Sequence, residues 1–91
     1  MIYMQIEPNQ ADAFQKKMTD SGWDLVSQEG GQSHFIGWAY IMHWQKQLED
    51  REANVWFHFS ENQGVPASHL EMNPAAKPAM EQLLAQLTDD E

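Results

Sequence analysis

The chain has 91 residues, with 14 acidic and 5 basic side chains and a formal net charge of −9. A chain of this length makes one small domain, residues 1–91, of modest stability. The absence of cysteine excludes disulfides, thiolate nucleophiles and cysteine-based zinc sites. The negative charge argues against binding to nucleic acid or to an anionic membrane, because both carry phosphates that it repels.

The first two elements are a strand and a helix. Apolar and polar residues alternate over residues 1–7, which predicts a half-buried strand that ends at Pro8. Asn9 can then cap a helix that closes at Gly22. The apolar stripe of this helix consists of Ala11, Phe14 and Met18.

A pair of short strands is expected next. The segment WDLVSQ, residues 23–28, has the composition of a second strand. The segment EGGQ, residues 29–32, favours a tight hairpin turn, because glycine accepts the positive φ that such turns require. A third strand should then begin at Ser33.

The aromatic segment from Ser33 to Trp44 fits two structures. We expect a strand over residues 33–38 and then a helix over residues 39–52, because good helix formers follow the aromatic residues. The alternative is a strand that continues to Trp44, as the first half of a long β-hairpin over residues 33–60. The helical stripe in the first interpretation consists of Tyr40, Ile41, Trp44 and Leu48.

The segment NVWFHFS, residues 54–60, is the clearest strand, with Trp56 and His58 on the face opposite to Val55 and Phe57. Residues 62–73 are expected to form a connector, because Gly64 and Pro66 interrupt any regular pattern.

The chain is expected to end in a helix over residues 74–88, with Pro78 in its first turn and a frayed acidic tail over residues 89–91. Its apolar stripe consists of Met80, Leu83, Leu84 and Leu87.

These elements predict an α+β fold, a small antiparallel sheet with helices on one face. The order is the ferredoxin-like β-α-β-β-α-β over residues 1–61, plus the C-terminal helix. The long-hairpin alternative gives β-α-β-β-β-α. In both, the second face of the sheet is free for a function or for dimerisation unless the last helix covers it.

The candidate interaction surface combines an aromatic patch with acidic residues. In the ferredoxin-like order the first strand and the strand over residues 54–60 are neighbours, so their outward side chains form a patch too large to stay wet on a stable monomer. Its occupant is the C-terminal helix, a second copy of the chain, or a ligand or partner. The surface consists of Tyr3, Trp38, Trp56 and His58, with Glu49, Asp50 and Glu52 as the acidic part.

Catalytic and metal sites have little support in the sequence. None of the four histidines forms a pair at i,i+2 or i,i+4, no H-E-x-x-H motif occurs, and no cofactor motif is present, so we expect no metal or cofactor. An enzyme would have to use His58 with Glu61 and Tyr3 as base, orienting acid and proton donor.

The sequence therefore favours a soluble, cytoplasmic and non-catalytic interaction module. Its partner would carry a basic, nucleic-acid-binding type of surface, as expected for the target of an inhibitor, antitoxin or immunity protein. The alternative is a homodimer that holds a small ligand between facing sheets, lined by Tyr3, Trp56 and His58.

Overall fold

The computed structural model describes residues 1–33 and 37–89, with side chains throughout except at residues 31–33, 37–38, 62 and 88–89. Within these ranges, five strands form one antiparallel sheet of order β1-β5-β4-β3-β2, accompanied by two α-helices. Short 3-10 turns, Pro8–Gln10 and Pro74–Ala76, lead into the helices. The elements are β1 (Ile2–Gln5), α1 (Ala11–Asp20), β2 (Asp24–Ser33), β3 (Gly37–Gln47), β4 (Glu52–Asn62), β5 (Val65–Met72) and α2 (Lys77–Asp89).

The predicted α+β class, with an antiparallel sheet, is confirmed, but the ferredoxin-like order is wrong. The observed order is β-α-β-β-β-β-α, which has one strand more than the long-hairpin alternative. Strands β2 to β5 pair consecutively, and β1 then pairs with β5 at the other edge. Strand β5 therefore separates β1 from β4, which were expected to be neighbours.

The helix predicted over residues 39–52 is wrong, because this segment belongs mainly to β3. Strand β3 pairs with β4 without interruption from Trp38 opposite Glu61 to Gln47 opposite Glu52, and it pairs with β2 on its other side. Tyr40 and Trp44 lie four residues apart, a spacing that puts them on one side of a helix and also on one side of a strand. The local pattern therefore fits a helix or a strand, and pairing with β2 and β4 makes the segment a strand.

The turn predicted over residues 29–32 is also wrong, because these residues continue β2. Gly30 lies opposite Tyr40 and has a φ of +146°. A Cβ at Gly30 would collide with the carbonyl oxygen of Ala39 and the Cα of Tyr40. Glycine is therefore required here by the close approach of two backbones. Of the third strand predicted over residues 33–38, residues 34–36 lie outside the described residues; Ser33 ends β2, and Gly37 begins β3.

The connector predicted over residues 62–73 is largely strand β5. Gln63 and Gly64 have positive φ values of 54° and 82°, as a two-residue hairpin turn requires. Pro66 lies opposite Glu61 of β4, whereas β1 joins β5 only from His69 onward. The missing N–H of Pro66 thus removes no hydrogen bond to β1, which explains how a strand tolerates this proline.

Both helices pack on the same face of the sheet and form the core with it. The ring of Phe14 on α1 stacks on that of Phe57 on β4, with centroids 5.2 Å apart, and Met80 on α2 is fully buried. The C-terminal helix is confirmed as α2, but it does not cover Trp56 and His58. The buried apolar residues are Ile6, Ala11, Phe14, Met18, Trp23, Met42, Trp44, Ala53, Val55, Phe57, Leu70, Met72, Ala76, Met80, Leu83 and Leu87.

Neither α-helix in the described part of the chain has the length and apolar character needed to cross a membrane.

Replacement of Gly30 by alanine should lower the free energy of unfolding by about 2–3 kcal/mol, through strain at positive φ and the collision with β3. The control is Gly64→Ala, which shares a positive φ but has open space around it, so about 1 kcal/mol is expected. Urea unfolding followed by circular dichroism measures both. Equal losses would show that Gly30 is not needed for the approach of β2 to β3.

Candidate functional site

The sheet face opposite the helices, here called the open face, carries polar and aromatic side chains. Alternation along each strand explains this, because every second side chain points away from the core. The clearest row lies on the central strand β4, where Val55 and Phe57 are buried while Trp56 and His58 are only partly buried. Open-face residues used below are Tyr3, Ser27, Glu29, Ile41, His43, Glu52, Asn54, Trp56, His58, His69 and Glu71.

Three of these residues form a cluster, His58, His69 and Glu71, here called the His–Glu cluster. His58 and His69 are direct cross-strand partners on β4 and β5, and their rings stack with centroids 4.5 Å apart and planes 9° apart. Glu71 lies two residues beyond His69 on the same face. Its carboxylate oxygens lie 2.9 Å from Nε2 of His58 and 3.7 Å from Nε2 of His69. All three side chains keep some access to solvent, between 22% and 39%.

Tyr3 on the edge strand β1 lies next to the His–Glu cluster. It lies opposite Glu71 in the sheet, and its ring centroid is 6.0 Å from that of His69. Hydrogen bonding to Glu71, and the negative charge of that carboxylate, raise the pKa of Tyr3. Burial pushes the pKa of Glu71 upward, but the charge of His58 and hydrogen bonds from Tyr3 and His58 outweigh it, so the pKa is lowered.

A second group of side chains lies beside the His–Glu cluster. His43 on β3 stacks on Trp56, with centroids 4.5 Å apart and planes 10° apart. Nε2 of His43 lies 2.8 Å from Oδ1 of Asn54, whose amide donates to Glu52 at 3.3 Å. The indole of Trp56 thus packs against an imidazole that is itself hydrogen-bonded to β4.

Two shallow recesses in the described part of the open face adjoin the His–Glu cluster. One, of about 570 Å³, includes Tyr3, Ile41, His58 and His69 in its lining. The other, of about 430 Å³, is here called the acidic recess. It is lined by Met1, Ser27, Glu29, Ile41, His43, Trp56, His58 and Glu71.

The structure brings some of the predicted surface residues together and separates others. Tyr3, Trp56 and His58 share the open face. The side chain of Trp38 lies outside the described side chains. Glu52 adjoins Trp56 through Asn54 and His43.

The remaining two acidic residues of the predicted surface lie elsewhere. Glu49 and Asp50 are in the loop between β3 and β4, where Asp50 is 3.5 Å from Arg51. Both are exposed. They therefore contribute negative charge at the end of the sheet rather than on the open face.

The predicted grouping of His58 with Glu61 and Tyr3 is wrong, because Glu61 does not lie near His58 on the open face. Glu61 lies three residues from His58 on the same strand, so its side chain points to the other side of the sheet. The carboxylate that contacts His58 comes from Glu71 on β5.

The residues predicted from the sequence did not include His43, His69, Glu71 or Glu29. A usable signal was the segment His69-Leu70-Glu71, because an i,i+2 pair on a strand lies on one face. That signal is lost when residues 62–73 are interpreted as a connector.

No family model, curated protein or solved structure matches this chain.

Replacement of Glu71 by glutamine should lower the pKa of Tyr3 toward the ordinary tyrosine value, because the hydrogen-bonded negative charge is removed. Tyr40 is the internal control, since burial and the charge of Asp12 raise its pKa. Titration of the two tyrosine rings by NMR, in buffer with a chelator, measures both. An unchanged pKa at Tyr3 would contradict its contact with Glu71.

Proposed function

We propose that the protein is a non-catalytic binding module whose open face binds a basic surface of a partner protein. The observation that carries this proposal is the segregation of charge. Glu29, Glu52 and Glu71 lie on the open face, whereas all five basic side chains of the chain lie elsewhere. The basic residues are Lys16, Lys17, Lys46, Arg51 and Lys77.

The positions of these basic side chains follow from the fold. Two lie on α1, one begins α2 and Arg51 is in the loop between β3 and β4. Lys46 donates to the carbonyl oxygen of Ser21 at 2.7 Å, on the side of the sheet that carries the helices. The carboxylates of the open face are therefore not neutralised by lysine or arginine, which favours a partner with positive charge.

The acidic recess suits an arginine side chain in particular. Glu29 and Glu71 supply carboxylates, and Trp56 supplies an indole that packs against His43. A guanidinium group pairs with carboxylates through its planar fork and stacks on aromatic rings, whereas an ammonium group makes only the charge interaction well. Arginine side chains are common on surfaces that bind nucleic acid. A recess that binds arginine therefore suits an inhibitor or immunity protein that covers such a surface on its partner.

A short poly-arginine peptide is a suitable probe, with binding followed by fluorescence anisotropy at low ionic strength and with a chelator present. We expect Glu29→Gln and Trp56→Leu each to weaken binding by about two- to fivefold or more, through loss of a carboxylate and of a cation–π contact. Poly-lysine should bind less tightly than poly-arginine.

The matched control is Glu81→Gln. Glu81 is exposed on α2, so this substitution removes the same charge far from the open face. It should leave the affinity nearly unchanged. If Glu29→Gln and Glu81→Gln weaken binding equally, the peptide responds to net charge alone and the proposed surface is wrong.

A second candidate function is a homodimer that encloses a small ligand. The recess of about 570 Å³ favours it, because the sheet bounds this recess on one side only and a second copy would close it. Repulsion opposes it, since two identical open faces would bring Glu29, Glu52 and Glu71 of both copies together.

Light scattering coupled to size-exclusion chromatography distinguishes the two candidates. Repulsion between open faces predicts the mass of a monomer at micromolar concentration, most clearly at low ionic strength, where repulsion is least screened. The second candidate would be favoured by a dimer that persists at low ionic strength. The substitution Ile41→Glu on the open face should then dissociate this dimer.

A further inference from the structure

We infer that His58, His69 and Glu71 form a binding site for a divalent transition metal ion, with zinc as the best fit. This inference goes beyond the proposed function and does not depend on it, because the chain alone supplies all three donors. Their ligand atoms lie within 4.8 Å of one another.

The distances within the cluster match one small ion. Two donors on a tetrahedral zinc ion stand roughly 3.3 Å apart, given metal–ligand lengths of about 2.0–2.2 Å. Oε2 of Glu71 lies 2.9 Å from Nε2 of His58, and Oε1 of the same carboxylate lies 3.7 Å from Nε2 of His69, on either side of that value. Small side-chain rotations would therefore place the three donors around an ion.

The fold keeps these donors in place without a metal. His58 and His69 are held by direct pairing of β4 with β5, and Glu71 follows on the same strand as His69. Tyr3 lies directly opposite Glu71 in the pairing of β1 with β5, where its hydroxyl can donate to the carboxylate. Hydrogen bonds to ligating carboxylates of this kind orient the ligand and strengthen the site.

The donor set indicates the class of ion. Two imidazole nitrogens and one carboxylate oxygen suit zinc and its neighbours nickel, cobalt and copper, and they suit calcium and magnesium poorly. Three protein ligands leave a coordination position of a tetrahedral ion open. Since the side chains are partly exposed, that position would be accessible from solvent.

Zinc should bind to the metal-free 91-residue chain with about micromolar affinity or better, and it should raise the melting temperature. Calorimetric titration measures the affinity. His58→Gln and His69→Gln should each weaken zinc binding by at least about tenfold. The matched control is His43→Gln, which removes a histidine from the same face but outside the His–Glu cluster, and its affinity should equal that of the wild type.

A second measurement avoids variants that fold poorly. In the wild-type protein, zinc should shift the imidazole nitrogen NMR signals of His58 and His69 and leave those of His43 nearly unchanged. No binding at about 100 µM zinc, or an equal loss in His43→Gln and His58→Gln, would overturn the inference. This result would leave the proposed function untouched, because the peptide assay contains a chelator and is decided by Glu29 and Trp56.

Discussion

The packing of both helices against one face of the sheet is the constraint on which the remaining structure depends. Phe14 stacks on Phe57, and the apolar side of α2 buries Met80 and Leu83 in the same core. Because side chains alternate along a strand, burial of Phe57 places Trp56 and His58 on the opposite face. A shift of β4 by one residue would exchange the two sets, so the core itself fixes the composition of the open face.

Cross-strand pairing then turns this composition into a site. His58 meets His69 because β4 and β5 pair directly, and Tyr3 meets Glu71 because β1 pairs with β5 rather than with β4. The site therefore depends on β5 more than on any other strand. Its short hairpin from β4, made by Gln63 and Gly64, sets the register that joins the two histidines.

The sequence predicted the elements whose pattern has one interpretation. Strand β1, helix α1, strand β4 and helix α2 show clear periodicity, and all four are present. Prediction from the sequence failed where a local pattern was compatible with two structures, as at Tyr40 and Trp44. It also failed where glycine or proline suggested a break in a strand, as at Gly30 and Pro66. In each case the deciding factor was pairing with a neighbouring strand, which a local pattern does not contain.

The candidate site was predictable to the same extent. Tyr3, Trp56 and His58 follow from alternation in two strands that were recognised. His69 and Glu71 required β5, and the choice of Glu71 over Glu61 as the acid of His58 required its pairing with β4. The charge segregation likewise needed the fold, since composition gives the excess of acid but not the face on which it lies.

The central claim is that the helices cover one face of the sheet and leave Trp56 on the open one. Relaxation of side-chain NMR signals by a soluble gadolinium chelate tests it most directly, because the effect falls steeply with depth below the surface. The indole signal of Trp56 should broaden strongly, while those of Trp23 and Trp44, which are 5% and 4% exposed, should stay sharp. Equal protection of Trp56 and Trp44 would contradict the account, because it would show that the open face is covered.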